Sequence, residues 1–272
     1  MGKNSKAQEA EMRRQYREAR MREEMEKQKR QNRLMWQIVI GVIAVILVVS
    51  AVAIAISMGL GKKDVSDDTD STAVAMEDLD FSVVSLEDCT NTETETEYVR
   101  MNITYTDKDG ISKTGDVVVR LFKEVAPLTV ANFQKLVKAD HYTGLTFHRV
   151  YSGFMIQGGN GDTANRTASS IKGEFTTNGV TNNLSHIRGV ISMARTDAPD
   201  SASDQFFIMH ADSTHLDGSY ASFGYVVYGM DTVDGIAATD VEFASGSIDS
   251  KPTQPVNPVT INYMTFVTVA KS

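Results

Sequence analysis

The sequence predicts a mainly β protein in which short antiparallel strands close into a barrel capped by two helices, preceded by a single transmembrane helix. Three patterns predict this fold class. After residue 97 the chain alternates apolar and polar residues in short runs separated by turn residues, which is typical of antiparallel strands. Residues 127–139 and 231–238 have helical spacing instead. Residues 38–60 carry no charge and are dominated by Ile, Val and Ala.

Residues 1–34 form a charged leader. They contain eleven Lys or Arg against six Glu, a net charge of +5, and because the whole chain has −8, the remainder sums to −13. The Arg, Glu, Gln, Met and Ala of the leader favour a helix in which Glu and Arg pair three or four positions apart. Apolar residues are too sparse for a core-facing stripe, so we expect a solvated cytoplasmic helix near anionic lipid headgroups.

The uncharged segment is long enough to span a bilayer. Its twenty-three residues would rise by about 1.5 Å each in a helix, which covers the ~30 Å hydrocarbon layer. Trp36 lies at the near edge, where aromatic residues anchor membrane helices, and the Lys and Arg excess lies on the N-terminal side. We therefore expect residues 35–60 to form a signal anchor, with the N-terminus cytoplasmic and the remainder extracytoplasmic.

A cleaved signal peptide is the alternative, since residues 51–55 contain two small-residue patterns that resemble cleavage sites. The apolar run is longer than the ~7 to 15 residues usual in a signal peptide, which favours the uncleaved anchor. After it, the Asp, Ser and Thr content indicates that residues 61–96 form a flexible acidic linker.

Residues 97–270 contain the predicted barrel. The strands 98–106 and 114–122 alternate well, and the Asp-Lys-Asp-Gly sequence between them is a hairpin turn. Pro127 opens the first helix, whose predicted buried face consists of Val130, Phe133, Leu136 and Val137. The remaining strands are predicted at 146–151, 154–158, 189–194, 205–210, 222–228 and 258–270.

The composition excludes several classes of function. Cys89 is the single cysteine, so the chain can form neither an intramolecular disulfide nor a cysteine-based metal site. The histidines lack metal-ligand spacing, and the acidic balance argues against a nucleic-acid partner. We expect no metal and no cofactor.

The densest run of unusual residues lies at 147–159. It places an arginine, Arg149, within ten residues of Phe154, Met155, Gln157 and a pair of glycines. On adjacent strands, positions 149, 155 and 157 share a face if the chain bends after residue 151. An apolar pocket that contains one fixed cation would suit an uncharged amide substrate.

This run resembles the signature of the cyclophilins, in which F-H-R-x-x-x-x-F-M-x-Q-G-G carries the active site. Later blocks at 189–195, 205–208, 215–220 and 223–224 follow in the family's order and spacing, so the resemblance covers about residues 97–270. It implies a closed eight-stranded antiparallel barrel and a monomeric peptidyl-prolyl cis/trans isomerase. The substrates would be proline-containing segments of exported proteins. A chaperone or scaffold module that binds proline peptides with little turnover is the alternative.

The resemblance assigns the site residues by position. The catalytic arginine would be Arg149, with Gln157 holding it and contacting the peptide backbone. The proline pocket would be formed by Phe154, Met155, Phe207 and Leu216. The neighbouring groove would be lined by Ala194, Arg195, Thr196 and Gln205.

The sequence departs from the family pattern at four places near this site. His215 stands where many eukaryotic members have tryptophan, as in many bacterial members, and Tyr220 stands where histidine is common. The resemblance assigns both to the substrate-binding residues. Loss of the indole is expected to weaken binding of cyclosporin-like ligands more than isomerisation. Asn160 and Asp204 replace the usual aspartate and serine, and Asp204 is expected to add a charge near the groove.

Overall fold

A computed structural model of the protein describes residues 74–244 and 249–270, which all belong to one compact unit. The predicted leader, the predicted membrane span and the first part of the predicted linker lie outside these residues. In the part of the chain that is described, no helix combines the length and the apolar character needed to cross a bilayer.

A strongly curled antiparallel sheet forms most of the unit, as the alternating sequence pattern predicts. Its ladder contains nine strands within the described ranges, in the order β1-β11-β2-β3-β8-β6-β7-β5-β4. The strands are β1 (Cys89–Thr92), β2 (Tyr98–Thr106), β3 (Ser112–Leu121), β4 (Phe147–Tyr151), β5 (Met155–Gly158), β6 (Val190–Met193), β7 (Phe206–Met209), β8 (Ser222–Tyr228) and β11 (Thr260–Val269). Two further strands, β9 (Val241–Glu242) and β10 (Gln254–Pro255), form a separate hairpin.

Within the described residues the ladder is a half-barrel sheet of nine strands, and its two end strands are β1 and β4. The closure expected of an eight-stranded barrel would run between β4 and β11, and backbone contacts connect these two segments. Thr146 bridges Thr260, the Ile261 amide donates to the Leu145 carbonyl at 2.8 Å, and the Phe147 amide donates to the Val259 carbonyl at 2.9 Å. The ninth strand is β1, whose Thr- and Asn-rich sequence gives no apolar alternation.

The hairpin of β2 and β3 follows the sequence pattern closely. Val99, Met101 and Ile103 of β2 are fully buried, because alternate residues of a strand face the same side of the sheet. The predicted turn is confirmed: the Gly110 amide donates to the Asp107 carbonyl at 3.0 Å. Gly110 has a φ of +76°, a conformation that glycine adopts without steric cost.

Two helices pack against the sheet, as predicted. The first, α1 (Pro127–Lys138), buries the predicted face of Val130, Phe133, Leu136 and Val137. Phe133 contacts the rings of Tyr142, Phe206 and Phe223 within the main core, at centroid distances of 5.3, 5.7 and 5.2 Å. The second, α2 (Met230–Ala237), starts one residue before the predicted 231.

Residues 74–88, here called the N-terminal strap, pack against the sheet where the sequence predicts a linker. Leu79 is 7% exposed and lies in an apolar cluster with Phe122. The ring of Phe81 contacts Phe122 and Tyr225 edge-on, at centroid distances of 5.5 and 4.9 Å. The described domain therefore starts before the predicted boundary at residue 97.

Polar contacts fasten the strap as well. The carboxylate of Asp80 forms an ion pair with Arg120 of β3, and the Val84 amide donates to the Val227 carbonyl at 3.0 Å. The strap leads into β1, which pairs with the C-terminal end of β11. These contacts could not be predicted from the acidic composition of the segment, because only a few apolar residues in it pack against the sheet.

The β9–β10 hairpin lies between α2 and β11 and has no periodic sequence pattern. Thr253, which is 2% exposed, connects this hairpin to β4, because its carbonyl accepts a 2.7 Å bond from the Val150 amide. The Thr253 amide in turn donates to the Glu242 carbonyl at 3.0 Å. The hairpin thereby brings Asp249 alongside β4.

Candidate active site

Three neighbouring strands bring the central residues of the predicted site together. Arg149 of β4 stands opposite Gln157 of β5, and Gln157 stands opposite Phe207 of β7. Gly153, at a φ of +77°, allows the tight turn between β4 and β5. This register produces the shared face that the residue spacing predicts for positions 149, 155 and 157.

The shared face opens into a cavity of about 720 Å³. Ten of the twelve predicted site residues line this cavity; the two that do not are Gln205 and His215. The lining residues are Arg149, Phe154, Met155, Gln157, Ala194, Arg195, Thr196, Phe207, Leu216 and Tyr220, together with Asp197 and Asp249, which were not predicted. A space of this size accepts a few residues of an extended peptide.

The apolar wall of the cavity is supported from behind by aromatic packing. Phe207 is 5% exposed and lies between two rings. His186 stacks on Phe207 at a centroid distance of 6.0 Å, and Tyr220 meets it edge-on at 5.7 Å. Met155, which is 2% exposed, belongs to the same apolar cluster. Because these side chains are tightly packed, the wall is a fixed surface against which a proline ring could be held.

The buried His186 supports this wall through a row of polar contacts. One ring nitrogen, Nδ1, lies 2.8 Å from Asp217 Oδ1, and Nε2 lies 3.0 Å from Ser192 Oγ. Burial lowers the pKa of His186 despite the neighbouring Asp217, so the ring is neutral at pH 7. The order Ser-His-Asp matches a hydrolase triad, yet Ser192 is fully buried and no substrate can reach it. The row instead fixes the ring that stacks on Phe207.

The guanidinium of Arg149 is held from two sides at the edge of the cavity. Its Nε and Nη2 donate to the two carboxylate oxygens of Asp249 at 2.8 and 2.6 Å. Its Nη1 donates to Gln157 Oε1 at 3.4 Å, and Gln157 Nε2 donates to Gln205 Oε1 at 3.0 Å. Gln205 therefore acts on the site through Gln157 instead of lining the cavity.

Arg195 is also fixed, but by different contacts. Its guanidinium carbon lies 5.0 Å from the ring centroid of Phe175 and 4.8 Å from that of Tyr220. Its Nε donates to the Ser219 carbonyl and its Nη1 to the Thr196 carbonyl, both at 2.8 Å. Arg195 thus forms one wall of the groove and connects the loop after β6 to the segment that carries Tyr220.

His215 and Asp204, two of the departures from the family pattern, do not lie where the sequence predicts. His215 is exposed and does not line the cavity; its ring stacks on Phe154 at a centroid distance of 5.9 Å. Asp204 does not add a charge to the groove, because it is buried and its Oδ2 accepts from the Gly161 amide at 2.8 Å and lies 3.0 Å from His141 Nε2. Residues 204 and 205 point to opposite sides, so Gln205 reaches Gln157 while Asp204 points into the protein.

Asn160, another of the four departures, caps a short turn. Its side-chain oxygen accepts from the Asp162 amide at 3.2 Å. Within the described ranges, no group of three or more His, Cys, Asp or Glu side chains could hold a metal ion.

Asp249 and Asp197 are the site residues that sequence reasoning missed. Asp249 is 100 positions from Arg149 and follows a segment without periodicity, so no local pattern marks it. Asp197 follows the matched block at 189–195 by two positions and is exposed at the rim. A search for acidic residues next to the sequence blocks that resemble the family would have found Asp197 but not Asp249.

The chain is similar to several known proteins. A crystal structure of a cyclophilin type peptidyl-prolyl cis-trans isomerase from Cryptosporidium parvum aligns at a TM-score of 0.49 and 22% identity, covering 63% of this chain and 99% of that one. The peptidyl-prolyl cis-trans isomerase of Acinetobacter baylyi is 41% identical over 155 residues, covering 54% of this chain and 79% of that protein. Peptidyl-prolyl cis-trans isomerase B of Escherichia coli is 42% identical over 133 residues, covering 45% and 78%.

The family model described as cyclophilin type peptidyl-prolyl cis-trans isomerase/CLD matches residues 102–265, more than half of the chain. This span contains Arg149 and every other predicted site residue. Together with the two bacterial relatives, it shows that the chain belongs to the cyclophilin-type peptidyl-prolyl cis-trans isomerases, which are enzymes.

Proposed function

We propose that Arg149 is the catalytic residue with which this isomerase accelerates rotation about X-Pro bonds. The observation that supports the proposal is that some N–H donors of its guanidinium have hydrogen-bond partners in the described part of the chain and others do not. Arginine has five N–H donors; Asp249 accepts from two and Gln157 from one. Among the described residues, two donors of Arg149 therefore have no partner, and the residue lies beside the apolar wall of the cavity.

The chemistry requires a donor of this kind. An X-Pro amide is planar because of resonance, and rotation about the bond has a barrier of about 18 to 20 kcal/mol. Rotation breaks this resonance and makes the prolyl nitrogen pyramidal, so that its lone pair can accept a hydrogen bond. A donor that bonds this lone pair stabilises the twisted amide and not the planar one, which lowers the barrier.

Phe154, Met155, Phe207 and Leu216 would hold the proline ring while the preceding residue turns. A hydrogen bond from a charged donor contributes about 1.5 to 3 kcal/mol. If it forms only in the twisted state, each ~1.4 kcal/mol accelerates rotation about tenfold. The residues of this chain supply this chemistry without a nucleophile.

The test is a protease-coupled assay of a proline peptide with the full chain in mild detergent. Arg149→Ala should lower kcat/KM by about 10- to 100-fold, given the worth of one charged hydrogen bond. Arg188→Ala is the matched control, because Arg188 bonds Asp234 and the His210 carbonyl and does not line the cavity. A wild-type chain that binds proline peptides without accelerating their isomerisation would favour the binding-module alternative. Equal activity of Arg149→Ala and wild type would remove Arg149 from the mechanism.

The proposal extends to the location and the cellular role of the protein. It would be a bacterial-type isomerase, anchored in the membrane by residues 35–60, that assists the folding of exported proteins. The support for this is the uncharged segment with a Lys- and Arg-rich N-terminal side, and the identity to bacterial relatives. Uncatalysed X-Pro isomerisation takes about 10 to 100 s, slow enough to limit folding outside the cytoplasm.

Fractionation and protease protection test this part. The protein should remain with membranes after a high-salt wash and keep its N-terminus. Protease added outside intact spheroplasts should degrade the isomerase domain and spare the leader. A soluble mature form that begins near Ile54 or Ile56 would show that the segment is a cleaved signal peptide.

A further inference from the structure

The contact between Asp249 and Arg149 points to a second residue that governs the reaction. Asp249 uses both carboxylate oxygens, and they meet Nε and Nη2 of one guanidinium in a side-on, bidentate geometry. The Asp249 side chain is 11% exposed, and that of Arg149 is 32% exposed. Such planar pairs fix the orientation of the guanidinium as well as its position.

The carboxylate is itself held in place. Thr253 Oγ1 donates to Asp249 Oδ2 at 2.8 Å. The Thr253 carbonyl accepts from the amide of Val150, the residue next to Arg149 on β4. Asp249 is thus fixed relative to the same strand that carries the arginine, through a residue that is almost fully buried.

We infer that Asp249 is a positioning residue for the isomerase reaction: it holds the Arg149 guanidinium so that the two unpaired donors face the substrate amide. This inference rests on the proposed role of Arg149. A carboxylate that binds the Nε and Nη2 side leaves the outer edge, formed by Nη1 and Nη2, for another acceptor. Gln157 takes one Nη1 hydrogen and restricts rotation of the group further.

The physical reason is preorganisation. An unrestrained arginine side chain samples many rotamers, and part of this freedom would be lost whenever it met the twisted amide. Asp249 restricts these rotamers before substrate binds, so the donor need not be ordered in the transition state. The twisted amide is neutral and offers one directional lone pair. The direction of the donor therefore matters more to the rate than the net charge of the pair.

The chain offers a matched control for this pair. Asp116 binds Arg100 in the same side-on geometry, with Arg100 Nε at 2.9 Å from Oδ1 and Nη2 at 2.8 Å from Oδ2. Its exposure is also similar, at 14% for Asp116 and 20% for Arg100. This pair lies on β2 and β3 and does not line the cavity. Loss of a bidentate pair as such can therefore be separated from loss of this one.

The experiment compares Asp249→Ala, Asp249→Asn and Asp116→Asn in the full chain in mild detergent. It measures kcat/KM together with the peptide dissociation constant. We expect Asp249→Ala to lower kcat/KM by about 10- to 100-fold, the cost of misplacing a catalytic group. Peptide affinity should remain within about twofold, because the apolar wall holds the proline ring. Asp116→Asn should leave kcat/KM unchanged within the same limit.

A double variant separates positioning from a general structural effect. If Asp249 acts through Arg149, adding Asp249→Ala to Arg149→Ala should cause no further loss of kcat/KM. Thr253→Val, which keeps the carboxylate and removes the hydroxyl that holds it, should cause a smaller loss than Asp249→Ala. This milder variant retains the test if Asp249→Ala folds poorly.

Three outcomes would overturn the inference while leaving Arg149 catalytic: wild-type kcat/KM in both Asp249 variants, additive losses in the double variant, or a faster enzyme without the carboxylate. A faster enzyme without the carboxylate would mean that Asp249 holds the Arg149 guanidinium in an orientation that hinders the reaction. Wild-type activity of Arg149→Ala would instead refute the proposed function.

Discussion

Leu79→Ala tests whether the N-terminal strap is part of the folded domain. Leu79 is 7% exposed in the apolar cluster that also contains Met155 and Phe207. Replacing a buried leucine by alanine costs about 2 to 5 kcal/mol, depending on how far the cavity can collapse. Leu79 lies near the half-exposed Phe81, so its surroundings can relax. We therefore expect a loss near the lower end of that range, about 2 to 3 kcal/mol.

Val83→Ala is the control, because Val83 belongs to the same strap but is 80% exposed. Its cost should stay within about 0.5 kcal/mol. Urea unfolding of the full chain, followed by near-ultraviolet circular dichroism of the packed tyrosines, measures both values. If Leu79→Ala costs no more than Val83→Ala, the strap contributes nothing to stability and the domain starts at residue 97, as the sequence indicates.

Three further predictions follow from the buried polar groups and the departures from the family pattern. Burial lowers the pKa of His148 and of His186, so the unfolded chain binds these protons more tightly. The contribution of these two neutral rings to the free energy of unfolding should be fully present above about pH 6.5 and be lost below it, with a smaller slope in His186→Asn, as measured by urea unfolding from pH 7.5 to 5. Asp204→Ala leaves the Gly161 amide without its acceptor, at a cost of about 1 to 3 kcal/mol. It should leave the preference for the residue before proline unchanged, and an altered preference would show that Asp204 acts on the groove after all. His215→Trp should strengthen binding of a cyclosporin-like cyclic peptide, measured by titration calorimetry, and change kcat/KM by less than about threefold, a small effect on the transition state. An equal gain in both would contradict the separate role expected of this position.

The shared face of Arg149, Met155 and Gln157 could be predicted from the residues themselves, because all three belong to one hairpin. Phe207, on the strand beside it, was assigned by the resemblance to the family and not by its spacing. Within such a hairpin the period of two fixes which residues share a face. The buried face of α1 could be predicted for the same reason, with a period of 3.6.

The parts that could not be predicted depend on single contacts between distant segments. Leu79 and Phe81 are isolated apolar residues in an acidic segment, so their packing leaves no periodic pattern. Asp249 meets Arg149 from a distant segment, which Thr253 connects to β4 by one backbone hydrogen bond. Asp204 was expected near the groove because its neighbour Gln205 was expected to line it, but adjacent residues of an extended chain point to opposite sides.

The four residues of β1 have a consequence for self-association. β11 is ten residues long, and β1 pairs with its last part, from Phe266 to Val269. Without β1, these backbone groups would form an open edge of the kind that recruits strands from other molecules. β1 itself is short and polar, which makes it a poor template for further pairing. A chain that starts at residue 97 would lack both β1 and the strap. It would therefore lose its protection against edge-to-edge aggregation.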